Sequence, residues 1–271
     1  GLITVGVWTV HTLNQPNDLD VQREIIVTPG SSGGAVSDLL TRQKIIHTPR
    51  LFYILLRLEN ISIKAGEYAI PAHSNLKDIL ELLQSGKTIE RQFTLAEGLT
   101  VKQALILLRQ NEFLEGDIAT PPNEGSILPD TYQFTRGDTR EALLKRMQEA
   151  QQKLLEKLWA ERDTTVPLKS PEEAVTLASI VEKETGKPEE RTKIAGLFYN
   201  RLKIGMALQT DPTVVYAVTE GLGHMGGKPL LKKHLETDSP YNTYKHVGLP
   251  PGPIANPGRA SLEAVLHPDK N

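Results

Sequence analysis

Apolar residues recur along most of this chain at helical spacing, broken by short runs of strand character. From residue 23 a unit of strand, turn and helix repeats loosely three times. REIIVTPGSSGGAVSDLLTRQKII sets Ala35, Val36, Leu39 and Leu40 on one helical face. GEYAIPAHSNLKDILELLQSG, from Gly66, offers Ser74 or Asn75 as helix cap. RQFTLAEGLTVKQALILLRQ, from Arg91, has Thr100 as cap and Leu105 and Leu108 on the inner face. PRLFYILLRL, residues 49–58, adds another apolar helix. Residues 111–130 and 221–227 carry the Pro, Gly, Asn and Asp of loops. Over 139–162 the spacing predicts a long helix with Leu143, Leu144, Met147, Leu154, Leu155 and Leu158 inward. Further helices are predicted over 189–203, from Asp211 (as cap, before Pro212), and over 259–267. Small sheets packed against helices give an α+β class, with a mixed, helix-rich second half.

The central prediction is a helix over SPEEAVTLASIVEKETG, residues 170–186. Ser170 stands as cap, Pro171 at the first helical position and Glu173 three residues after the cap. Ala174, Leu177, Ala178 and Val181 form an apolar stripe, and Gly186 and Pro188 end the helix. Glu172 and Glu173 suit the first turn, where the helix dipole favours negative charge. Glu182 and Glu184 fall in the last turn, where it does not. Both sit at the edges of the stripe, half in and half out of water. Partial desolvation raises a carboxyl pKa, so each is a candidate general acid, and helical geometry does not choose between them.

Composition narrows the chemistry. The 271 residues hold 31 basic and 33 acidic side chains, a net charge of −2 without long runs of either sign. That balance does not suit a nucleic-acid partner. No cysteine is present, which excludes disulfides, thiolate catalysis and cysteine-ligated zinc. The seven histidines are scattered, with neither HExxH nor any i, i+4 pair, so a metalloprotease is disfavoured, and no metal or other cofactor is called for. Gly-x-Ser-x-Gly is missing, and the Gly-rich turn over 29–34 lacks the Lys-Ser/Thr ending of a phosphate loop. What remains is carboxylate chemistry. The segment DSPYNTYKHVGLPPGPIANPG, residues 238–258, combines prolines, amides and aromatic rings and reads as a stiff surface loop lining a cleft. Amides and ring faces suit sugars.

GLITVGVWTV, Gly1–Val10, is uncharged. Ten residues cover half of the ~20 that a membrane-spanning helix needs. The stretch reads as the outer end of a transmembrane anchor with Trp8 at the lipid boundary. The other readings are a short edge strand and a cut signal peptide, for which no small-x-small cleavage site follows.

Three segments in order, ASIVEKETG, ERTKIAGLFYNRLKIGMALQTDPTVVYA and DSPYNTYKHVGLPPGPIANPG, resemble the YceG-like family of bacterial endolytic murein transglycosylases. EGSILPDTYQF, from Glu124, is similar to that family too. The resemblance covers nearly the whole chain. It implies a membrane-anchor remnant over 1–10, a LysM-like subdomain over 21–92 and a catalytic domain over 93–271. Family members usually run past the His-Pro pair near the end, so the tail up to Asn271 is expected to be short or truncated.

The resemblance also implies cleavage of the β-1,4 bond between N-acetylmuramic acid and N-acetylglucosamine within peptidoglycan strands. Products would end in 1,6-anhydro-muramic acid, and the enzyme would terminate glycan polymerisation beside peptidoglycan synthases. It would be held by a single pass in the inner (cytoplasmic) membrane, catalytic domain outside. The first glutamate of E-K-E-T, Glu182, takes the catalytic role, as acid and then as base, and Glu184 becomes a surface residue. Gln209 and Asn242 are expected to bond N-acetyl groups, Tyr241 and Tyr244 to stack on sugars, and Asn256 to touch substrate or shape a turn. The alternatives are a hydrolase pairing Glu182 with Asp211, and a non-catalytic peptidoglycan-binding scaffold.

Overall fold

The structure, a computed structural model, describes residues 11–269; the expected anchor remnant Gly1–Val10 lies outside them. Among the described residues no helix is long and apolar enough to cross a membrane. The chain divides into two compact units, Gly1–Arg91 with Gln133–Gly137, and Gln92–Tyr132 with Asp138–Asn271.

In the first unit β1 (Arg23–Val27) pairs antiparallel with β2 (Gly66–Ile70), in the register Ile25 opposite Tyr68. Helices α1 (Gly33–Arg42) and α2 (Pro49–Leu58) connect the two strands, and α3 (Leu76–Ser85) follows β2. Ile25 and Val27 alternate with exposed residues along β1. With Leu40, Phe52, Ile70, Ile79 and Leu83 they fill one core, the pattern of a sheet with one dry face. A reciprocal cap between Asn75 and Asp78 starts α3, and Gly86, at φ +69°, ends it. Glu67 is buried between two guanidinium groups, Arg91 at 2.8 Å and Arg136 at 3.1 Å. Arg136 comes from the short returning segment 133–137, so this pairing ties that segment into the unit.

A second two-stranded sheet joins β3 (Glu90–Thr94) to β4 (Thr131–Thr135). The second unit contains α4 (Val101–Gln110), α5 (Arg140–Ala160), α6 (Pro171–Glu184), α7 (Arg191–Lys203), α8 (Asp211–Val218), α9 (Lys232–Leu235) and α10 (Arg259–Leu266). Helix α6 starts as the sequence predicts: Ser170 Oγ accepts from the Glu173 N–H at 3.3 Å, with Pro171 inside the first turn. It is more than amphipathic. All eight residues from Ala174 to Val181 are buried, so α6 is the core helix of this unit, packed on α7 and α10. Its buried hydroxyls have partners. Thr176 donates to the Glu172 carbonyl at 2.9 Å, and Ser179 donates to Thr176 and accepts from the Ile254 N–H at 3.0 Å.

The 238–258 segment corrects one expectation. Its last five residues, Ile254 to Gly258, are buried against α6 and not a surface loop. An irregular backbone in that position must find internal partners for its N–H and C=O groups. That requirement is what brings it to the end of α6.

Candidate active site

Glu182 lies in the last turn of α6, and its side chain is 7% exposed. Its Oε2 accepts two hydrogen bonds, from the Gly258 N–H at 2.9 Å and from Ser261 Oγ at 2.7 Å. Gly258 is the cap residue of α10 and Ser261 lies in its first turn, so the carboxylate occupies an N-terminal helix end where unpaired N–H groups hold an anion. Arg191, at the start of α7 and 10% exposed, reaches Glu182 Oε1 at 3.9 Å. Glu182 as a residue is intermediate in exposure, at the boundary expected of it, with its side chain turned inward, and every neighbour named here is a donor or a cation.

Beside it runs the turn before α4. Gly98, at φ +76°, takes a left-handed conformation that suits glycine. Its N–H donates to the Asn256 carbonyl at 2.9 Å, and its own carbonyl accepts from Lys183 Nζ at 3.2 Å. The preceding residue, Glu97, is exposed yet has its carboxyl raised, first by desolvation and then by the charge of Glu182, with Arg191 opposing.

Asn256 joins three segments. Its Nδ2 donates to the Leu99 carbonyl at 2.9 Å and to Glu124 Oε1 at 3.3 Å, and its Oδ1 accepts from the Ile127 N–H at 3.3 Å. Glu124 Oε1 also accepts the Val101 N–H at the start of α4, and Glu124 Oε2 accepts from the Tyr216 hydroxyl at 3.1 Å. Burial lifts the Glu124 carboxyl to about 7 against these hydrogen bonds. Tyr241 packs on Tyr216 with ring centroids 5.0 Å apart.

The remaining expected residues gather at the start of α8. Tyr244 donates to Asp211 Oδ1 at 2.6 Å; desolvation and this bond push its hydroxyl up to about 12. Desolvation and the Asp211 charge raise Glu184, with Arg201 opposing. Gln209 is exposed in a left-handed conformation, φ +53°, with its N–H bonded to the Thr243 carbonyl. A cavity of about 190 Å³, lined by Lys183, Asp211, Pro212, Val215, Tyr216, Gly223 and Ile254, runs between Lys183, next to Glu182, and this cluster. Among the described residues no group of three or more His, Cys, Asp or Glu side chains converges as a metal site.

Three expectations change. Asn242 is fully buried, with Nδ2 donating to the Leu235 and Thr237 carbonyls and Oδ1 accepting from the Tyr244 N–H, so these bonds hold the loop. Asn256 is equally buried and equally engaged. Asp211 is not the cap of α8. Thr210 holds that position, and Asp211 lies in the first turn, bonded to Tyr244. Sequence reading missed Glu97, Arg191, Ser261 and the role of Glu124. All four stand in segments singled out beforehand, but for helix pattern or family likeness and not for these side chains, whose neighbours come from other elements.

An α+β frame that presents one buried, donor-held carboxylate at the end of its core helix defines a carboxylate-centred site. The chain belongs to the YceG-like family, whose model matches residues 25–271. A Bacillus subtilis (strain 168) protein named endolytic murein transglycosylase is 34% identical over 279 residues, covering 91% of this chain and 76% of its own. A protein of the same name from Streptococcus pneumoniae D39 is 28% identical, covering 90% of this chain, and this chain spans about half of it (52%). The crystal structure of a yceG-like protein from Listeria monocytogenes matches with a TM-score of 0.58 and 33% identity, over 93% of this chain and 92% of that one.

Proposed function

We propose that this protein is an endolytic lytic transglycosylase of peptidoglycan, cutting the β-1,4 bond between N-acetylmuramic acid and N-acetylglucosamine and leaving 1,6-anhydro ends. The observation that carries this reading is Glu182, a side chain 7% exposed and fixed by Gly258, Ser261 and Arg191 at the end of the core helix. The names of the relatives supply the substrate class. In this reading the protonated Glu182 gives its proton to the glycosidic oxygen as positive charge builds on the muramic acid ring. The resulting carboxylate takes the proton of the C6 hydroxyl, which closes on C1. The nucleophile belongs to the same sugar, so closure is intramolecular and gains the effective-concentration advantage of such a step.

Asp211 is engaged by Tyr244 in the neighbouring cluster with Glu184, which favours this single-carboxylate proton relay over a Glu182–Asp211 hydrolase pair. Tyr241, Tyr244 and Gln209 remain the proposed substrate contacts, near the 190 Å³ cavity. The first unit, with an antiparallel strand pair enclosing two helices, is read as LysM-like and glycan-binding. Gly1–Val10 is read as the outer end of a membrane anchor, with the catalytic unit outside. Incubation with polymeric peptidoglycan and mass spectrometry of the released muropeptides tests the function. Anhydro ends, one water lighter than hydrolysis products, are expected; intact strands would refute it.

A further inference from the structure

One ionisable group beside Glu182 has no part in the mechanism above. A Cβ built on Gly258 would stand 1.9 Å from Glu97 Oε1, and the N–H of the same Gly258 donates to Glu182 Oε2 at 2.9 Å. The two carboxylates thus meet on one residue. Gly258 has φ −74°, which any residue adopts. A side chain at 258 is therefore opposed by the room Glu97 occupies and not by the backbone, and Glu97 would have to shift to admit one. The Glu97–Gly98 turn is itself fixed, through Gly98 to Asn256 and to Lys183.

The charged groups around Glu97 are Glu182 on α6, Arg191 on α7 and, through the Gly98 carbonyl, Lys183. Arg259, next to Gly258, pairs with Glu263 at 3.6 Å. Packing a second carboxylate against the first costs energy, and structures retain such costs chiefly at functional sites. Glu97 also differs from Glu182 in being exposed, so a strand in the site can reach it.

We infer that Glu97 is a second catalytic carboxylate of this site, facing the sugar ring and stabilising by its negative charge the positive charge that builds there as the glycosidic bond opens. No bond forms to Glu97, and the proton relay stays with Glu182. A fixed charge aimed where charge develops is among the larger contributions an active site makes. The inference rests on the transglycosylase reading above and deepens it.

The test compares wild type, Glu97→Gln, Glu97→Ala and Gly258→Ala on polymeric peptidoglycan, with thermal unfolding measured alongside. Glu97→Gln should keep its unfolding midpoint, lose on the order of 100-fold in kcat, and keep KM within about twofold. The acid limb of the kcat profile, which reports ionisation of Glu97, should vanish in that variant. Formate should restore part of the activity of Glu97→Ala, as a purely structural role would not allow. Gly258→Ala, which displaces Glu97, should lower kcat in wild type and add little to Glu97→Gln.

Wild-type kcat and an unchanged acid limb in Glu97→Gln, or a loss in Glu97→Ala that formate leaves untouched, would overturn the inference while leaving the transglycosylase reading standing. Wild type that cuts no strand overturns both.

Discussion

Glu182 Oε2 and the Gly258 N–H are 2.9 Å apart in space and 76 residues apart in sequence. That bond joins the C-terminal end of the core helix to the N-terminal end of the last helix, and Ser261 doubles it at 2.7 Å. The carboxylate anchors α10 and, in the mechanism proposed above, also carries the proton; the two roles separate under substitution.

Glu182→Gln should abolish strand cleavage while the fold survives. The amide oxygen can still accept from Gly258 and Ser261, so stability should fall by no more than about 1 to 2 kcal/mol, but the amide has no proton to give. Glu184→Gln should retain most activity, because its side chain lies on the exposed side among Asp211, Tyr244 and Arg201. Muropeptide release by both variants at matched concentration decides; the reverse order of activities would assign the acid to Glu184.

Asn256→Ala should cost about 2 to 4 kcal/mol, seen as a lower urea midpoint. The change removes bonds to Leu99, Glu124 and Ile127 and leaves buried groups unpaired. Asn242→Ala should behave alike, with three bonds within its own loop lost. If instead either variant kept its stability and lost only affinity for glycan strands, these amides would be substrate contacts after all.

Those two asparagines show what the sequence carries and what it hides. Local signals were legible: Ser170 with Glu173, and Thr100, cap helices where expected, and of Ser74 and Asn75 it is Asn75 that caps. The apolar period placed the helices, because burial of one face leaves a mark every three or four residues. The run TYQFT of β4 also alternates between exposed and buried, yet it follows a stretch dominated by turn residues and is not recognised as a strand. Polar residues inside an irregular segment leave no such mark. Asn242 and Asn256 read as surface amides by type, but a buried loop needs partners for its backbone, and amides supply them. Glu97 and Ser261 become neighbours of Glu182 only once the chain has closed over distances that no local pattern encodes, and Arg191 only once the turn after α6 has folded back.

Glu124 gives the stability of the protein a definite pH dependence. Its carboxyl stands at about 7 in the folded protein against 4.5 for the free side chain. Between those values the folded state keeps a proton that the unfolded state has released. This contribution is full below pH 4.5, declines as pH rises through the window, and is gone above about 7. The expected loss is on the order of 3 kcal/mol. Glu124→Gln should flatten this part of the profile, since the amide can accept from Val101 without titrating. Urea midpoints at pH 4.5, 6 and 8 for both proteins provide the check; parallel curves would show that Glu124 does not titrate there.

Asp211→Asn separates a transglycosylase from a hydrolase. A hydrolase needs a second group to activate water, and Asp211 is the carboxylate that the sequence offers for it. In the structure Asp211 lies in the first turn of α8, its Oδ1 bonded to Tyr244 at 2.6 Å. An asparagine there still accepts from the hydroxyl, although a charge-assisted bond becomes a neutral one, weaker by about half. The variant should therefore lose no more than about 1 kcal/mol and go on producing anhydro ends. Digestion in oxygen-18 water makes the distinction visible by mass. Intramolecular closure takes no atom from solvent, so the products should carry no label in wild type or in the variant. Label at the new reducing ends, lost together with activity in Asp211→Asn at unchanged stability, would make Asp211 a water-activating base and the enzyme a hydrolase.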